Sequence, residues 1–164
     1  MKRSKKKQLR KQNLNRFAFV VNEDLSYEVS TYTNITRTNE LLGCSLIDHI
    51  DFIDTIFEKG IDIWIDDEGK LNGSQPTLAF LENGNVVDAV HGKLCFLRFD
   101  DEGNTFGLTN SDIEFLKAWL SKRATVNITD GIHNFRTIAV FPQDMEHYNK
   151  HHQEFLNVFG GNLL

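Results

Sequence analysis

The stretch Ile61-Asp62-Ile63-Trp64-Ile65-Asp66-Asp67-Glu68-Gly69 decides the class of fold. In its first five positions Ile61, Ile63 and Ile65 recur with period 2, the period of a strand with one face in a core. Three acids and a glycine follow, the composition of a solvated turn in which glycine supplies a positive φ. The flanking sequence supplies strands to pair with it. Residues 16–21 and 27–33 are rich in β-branched and aromatic side chains and are separated by Asn22-Glu23-Asp24, so they read as a hairpin. Residues 86–90 and 93–99 read as two strands with Gly92 between them, the second ending at Asp100-Asp101-Glu102-Gly103. Residues 125–128 and 135–141 are strands joined through Asp130-Gly131. Residues 44–50 fit a short strand followed by a helical turn, although Leu46, Ile50, Ile53 and Phe57 also have helical spacing.

Helices are fewer. The strongest covers 109–123, where Ile113, Leu116 and Leu120 form an apolar stripe widened by Phe115 and Trp119. Ser111-x-x-Glu114 matches a capping box, and Lys122 and Arg123 stand in the last turn, where cations favour the helix dipole. A short helix over 36–42 is stopped by Gly43, and a brief one over 77–81 follows Pro76. A last helix follows Pro142, with Met145, Tyr148, His152, Phe155 and Phe159 on one face and Gly160-Gly161 as its stop. Strands in hairpins outnumber helices. The expectation is an α+β fold, its sheet mixed or mostly antiparallel, with about three helices packed on it.

The chain has 164 residues, enough for one domain, and its 40% apolar and 25% charged content is that of a globular protein. Thirteen Phe and two Trp exclude disorder throughout, and no stretch approaches the roughly 18 apolar residues of a membrane span. The net charge of −5 hides an asymmetry. Residues 1–13 hold Lys2, Arg3, Lys5, Lys6, Lys7, Arg10 and Lys11 and no acid, which leaves eleven basic against 23 acidic residues, a formal −12, in the remainder. The organisation expected is a solvated basic arm over 1–13 and a single acidic domain over 14–164. Within the arm, Lys5, Lys6, Lys7 and Arg10 are the candidates for contact with nucleic acid or a ligand. No apolar segment follows it as a secretory signal requires, so a cytoplasmic location is expected. Cys44 and Cys95 both sit in apolar settings and read as packed, reduced thiols.

Catalytic signatures are missing. The sequence has no glycine-rich phosphate loop, no G-x-S-x-G elbow and no C-x-x-C pair. His147, His151 and Glu154 share a helical face, but a solvated polar face accounts for them, and neither D-D-E-G turn meets the calcium-loop pattern. No catalytic residue, metal or cofactor is expected. The unusual feature is the run 48–68, which holds Asp48, Asp51, Asp54, Glu58, Asp62, Asp66, Asp67 and Glu68 against Lys59 alone. These eight acids are the candidate partner-binding residues. If exposed on one surface, they would imitate the charge that a DNA-binding groove is built to grasp.

Residues 16–120 resemble a family of small uncharacterised proteins encoded by phages and mobile elements. The resemblance rests on Leu41-Leu42-Gly43-Cys44-Ser45-Leu46-Ile47, a helix-end glycine leading into a strand. It rests also on the acidic turn Ile65-Asp66-Asp67-Glu68-Gly69-Lys70-Leu71-Asn72-Gly73, and on Gly92-Lys93-Leu94-Cys95-Phe96-Leu97 with Gly107-Leu108-Thr109 beyond. The family carries an Asn-Arg pair shortly after the acidic turn, where Pro76-Thr77 stands here, and no catalytic residue is carried over. Residues 124–164 form a strand-helix extension outside the resemblance. The resemblance implies an accessory protein acting inside a bacterial host.

The function expected is therefore that of a non-enzymatic interaction protein. It would antagonise a bacterial defence system by presenting an acidic, DNA-like surface to a nuclease or another nucleic-acid-binding complex. No membrane partner is expected, and self-association is compatible with the sequence. The second expectation is a small-molecule module that sequesters a nucleotide signal, with Arg16, Arg37, Arg98, Lys122, Arg123 and Arg136 as the available cations. The third is a metal-dependent hydrolase using paired carboxylates.

Overall fold

The computed structural model describes residues 16–155, the last five as backbone alone. The candidate cations Lys5, Lys6, Lys7 and Arg10 lie outside the described residues, as do the side chains of His151, His152, Glu154, Phe155 and Phe159. The described residues form an α+β fold, with two sheets and four α-helices packed on them.

The first sheet runs β2 (Tyr27–Thr31), β1 (Phe17–Val21), β7 (Leu94–Phe99), β4 (Ile61–Asp66), β3 (Ile47–Ile50), with every neighbouring pair antiparallel. A two-residue strand, β8 (Thr105–Phe106), pairs with the end of β7 beside β1. Both faces of this sheet are covered, so β1 and β7 are apolar at successive positions instead of alternating. On one face Phe19, Val21, Ile61, Ile63, Leu94 and Phe96 join the main core. On the other, Ala18, Val20, Cys95 and Leu97 meet Leu42 of α1 (Ile35–Leu42). The side chain of Asn34 caps α1, and Gly43 ends it in the left-handed region at φ 69°, as the sequence predicts.

The main core is closed by α2 (Asp54–Phe57), by α3 (Asn110–Lys122) and by the second sheet, through Ile56, Ile113, Leu116, Trp119, Leu78, Ile138 and Val140. The capping box of α3 lies two residues before the expected one: Thr109 and Asp112 exchange the capping hydrogen bonds. Leu108 bridges Phe17 of β1, so the chain leaves the sheet one residue before Thr109 and the helix starts there.

The second sheet has the order β6 (Asn85–His91), β5 (Pro76–Glu82), β10 (Asn134–Val140), β9 (Thr125–Thr129). It corrects the helix expected over 77–81. Those residues form β5, buried along most of its length, antiparallel to β6 and parallel to β10. A strand covered on both sides is a continuous apolar run without period, and Pro76 is tolerated as its first residue. Asn83-Gly84, with φ of 52° and 79°, makes the tight hairpin turn to β6 and is the overlooked signal. Strands β6 and β7 are accordingly not partners: the chain changes sheets at Gly92. A 3₁₀ turn (Pro142–Met145) leads into α4 (Glu146–Phe155). Among the described residues, no helix is long and apolar enough to cross a membrane.

Candidate functional site

The fold distributes the eight acids of the run 48–68. Asp48, Asp51, Glu58, Asp67 and Glu68 are exposed. Asp54 is half-buried, and its carboxylate accepts hydrogen bonds from the backbone N–H groups of His147 (2.8 Å) and Tyr148 (3.3 Å) at the start of α4. A carboxylate there satisfies unpaired amides and complements the helix dipole. Asp66 accepts from the Glu68 backbone and from the Asn72 side chain, both at 2.9 Å, which folds the acidic turn on itself.

Asp62 is a correction to the expected exposed ribbon. It is 7% exposed, and burial pushes its carboxyl up to about 6, with His49 opposing the shift and Asp51 adding to it. The cause is the strand register. Asp62 lies opposite Leu97 and Asp66 opposite Ile47, whereas Asp48 lies opposite Ile65. Period 2 therefore puts Asp62 and Asp66 on the face that carries α1, and Asp48 on the other. Ile50, Ile53, Ile61 and Ile63 are buried as expected, and Ile65 and Phe57 are partly buried.

Two of the eight acids, Asp66 and Glu68, line a cleft of about 550 Å³ between the end of α1 and the turn after β4. Gly43, Cys44, Ser45 and Leu46 form one wall, and Asp66, Glu68, Asn72 and Ser74 another. Glu23, from the β1–β2 turn, completes the lining and accepts from the Gln75 backbone at 2.9 Å. Among the described residues, three carboxylates and no basic side chain line the cleft. Two of the stretches that carry the family resemblance form its walls, and the third begins beside it at Gly92. Gly69 is required here by close approach and not by a positive φ, because a Cβ would stand 2.2 Å from the His91 carbonyl oxygen. His91 in turn bonds through Nδ1 to the Ser74 carbonyl at 2.9 Å, tying the acidic turn to the end of β6.

Burial, helped by the charge of Asp66, pushes the Cys44 thiol up to about 11, so it is protonated at neutral pH. Burial raises Cys95 to about 12, and both cysteines are free thiols. Among the described residues no group of three or more His, Cys, Asp or Glu side chains is placed to hold a metal ion. Beside the carboxylates, Leu46 on the wall is 53% exposed and Leu71, at the tip of the turn, is 85% exposed.

A family model covers the chain from β1 to the last turn of α3, matching residues 15–121. The chain belongs to the DUF3846 family. Its description is a domain of unknown function. No curated protein and no solved structure matches the chain. The DUF3846 region holds all of the first sheet, the acidic cleft, and the β5–β6 half of the second sheet.

Sequence reasoning did not place Glu23, Asn72 or Ser74 at the cleft, nor the ion pair at the other end of the sheet, where Arg98 lies opposite Ile61. Arg98 on β7 holds Asp112 with two bonds of 2.7 Å, one from Nε and one from Nη2. Burial alone would raise the Asp112 carboxyl, yet Arg98 and Thr109 hold it below its ordinary value. Thr109-x-x-Asp112 was the available signal for this pair.

Proposed function

We propose that the chain is a binding protein and not a catalyst, and that its acidic cleft and turn dock on a basic, nucleic-acid-handling surface of a partner protein. One observation carries this reading: among the described residues three carboxylates line the cleft without a cation, next to the exposed Leu46 and Leu71. Carboxylates in this setting favour lysine and arginine and raise association rates, while a leucine transferred from water into a partner's pocket contributes roughly 1.5–3 kcal/mol. The −12 charge beyond residue 13 adds a long-range field of the same sign. The resemblance to phage and mobile-element proteins points to a defence nuclease or nucleic-acid-binding complex of a bacterial host as that partner.

The test is capture of a partner from bacterial lysate, followed by binding kinetics with the purified partner. Asp67→Lys with Glu68→Lys is expected to slow association markedly, and Leu71→Ala to speed dissociation. Binding should weaken as salt rises, since screening confines exposed charges to about 8 Å at physiological ionic strength. Normal binding by both variants, or affinity independent of salt, would overturn the proposal.

A further inference from the structure

We infer that the groove between α2 and α3 is a second site, opposite in charge to the acidic cleft, for an anion with a flat apolar body, of the class of nucleoside monophosphates. This goes beyond the reading above, because none of its residues belongs to the acidic cleft. The groove has a volume of about 500 Å³, within the range of small-molecule pockets. Lys59, at the end of α2, and Lys122 and Arg123, at the end of α3, all line it, and among the described residues Glu58 is the one carboxylate in the lining. The acidic body thus gathers three of its eleven basic residues at one place.

Rings stand beside these cations. Lys59 Nζ lies 5.1 Å from the Phe115 ring centroid, and the Arg123 guanidinium lies 5.2 Å from that of Trp119. Trp119 is 6% exposed and belongs to the core, as its stripe predicts, but its Nε1 donates to Thr55 Oγ1 at 3.2 Å, on the groove wall. That bond fixes the indole. Arg123 is held by Asp144 at 3.2 Å through Nη1, while its Nε is buried without an acceptor among the described residues. The guanidinium is therefore oriented; its Nε is out of a ligand's reach, and Nη2 is the donor left for one. Lys59 and Lys122 have no ion pair among the described residues and are exposed. Phosphate oxygens match this donor set, and a base can lie against Phe115 and the guanidinium plane. Glu58, at the rim, is placed to accept from a sugar hydroxyl or an exocyclic amine.

The experiment titrates adenosine and guanosine monophosphate into the full chain at low salt, by calorimetry and by indole fluorescence. Saturable binding with a dissociation constant below about 1 mM is expected for at least one of them. The double variant Lys59→Glu, Lys122→Glu, whose fold is checked by its melting temperature, should bind at least about tenfold more weakly. Inorganic phosphate should be weaker than the nucleotide by a similar factor. The inference is overturned if neither nucleotide saturates, if the folded double variant binds as tightly as the wild type, or if phosphate alone binds as tightly as the nucleotides.

Discussion

The two sheets are built by different rules. In the first, the central strand β7 has Leu94, Cys95, Phe96 and Leu97 at 0% exposure, because the main core lies against one face and α1 against the other. All its strands are antiparallel and fall inside the DUF3846 match. In the second, β5 and the second half of β10 are buried, while the outer strand β6 leaves Val86 at 40% and Val87 at 59% exposure. Here the family supplies β5 and β6, and residues past the match supply β9 and β10. The parallel pairing Leu78↔Ile138, Ala79↔Ala139, Phe80↔Val140 joins the halves. The extension is thus part of the same core, since it contributes Ile138 and Val140 to it.

The largest expected effect breaks that joint. A chain ending at Arg123 loses both side chains and leaves β5 with an open edge, at a cost on the order of 5 kcal/mol or more from lost burial and pairing. Thermal unfolding followed by circular dichroism should show a fall of more than about 10 °C or the loss of a cooperative transition. A melting point within a few degrees of the full chain would make the second sheet an accessory to the first.

Asp112→Ala strikes the first sheet instead. It removes the capping box of α3 and leaves Arg98 without its carboxylate, a cost of about 3 kcal/mol in urea unfolding. The folded carboxyl is held below its ordinary value, so its contribution is present above about pH 4 and lost as pH falls further. The variant should lack that acid-side loss.

Asp62→Asn should act in the opposite direction. Burial raises this carboxyl in the folded chain to about 6, so the folded state holds its proton where the unfolded chain has released it. Stability contributed by Asp62 therefore falls as pH rises from about 4 to 6 and stays low above that. The amide should stabilise the protein by about 1–2 kcal/mol at pH 7 and flatten that limb of the pH profile. A destabilised variant would show that the ionised carboxylate has a partner. The smallest effect belongs to the second sheet's outer strand. Val87→Lys should change stability by no more than about 0.5 kcal/mol.

The same contrast explains what was legible in the sequence. Strand β4 shows its alternation in Ile61, Ile63 and Ile65, Gly43 announces the end of α1, and the stripe of α3 is plain. Strand β5 was hidden because burial on both sides erases its period, and only Asn83-Gly84 betrays it. Asp62 was misread because alternation says that it faces away from the isoleucines, and says nothing of a second covered face. The acidic turn was visible, but the cleft was not. Glu23 and Gln75, which meet there, are 52 positions apart, and no local pattern reports a contact of that span.

The pairing of Leu78 with Ile138 also sets a timetable for synthesis. The β5–β6 hairpin leaves the ribosome with one long edge of β5 unpaired, and its mate is encoded about 60 residues later, several seconds at roughly 5–20 residues per second. Through that interval an apolar strand is open to any passing chain with a free edge of its own. The nascent protein is most at risk of aggregation between the completion of β6 and the arrival of β10.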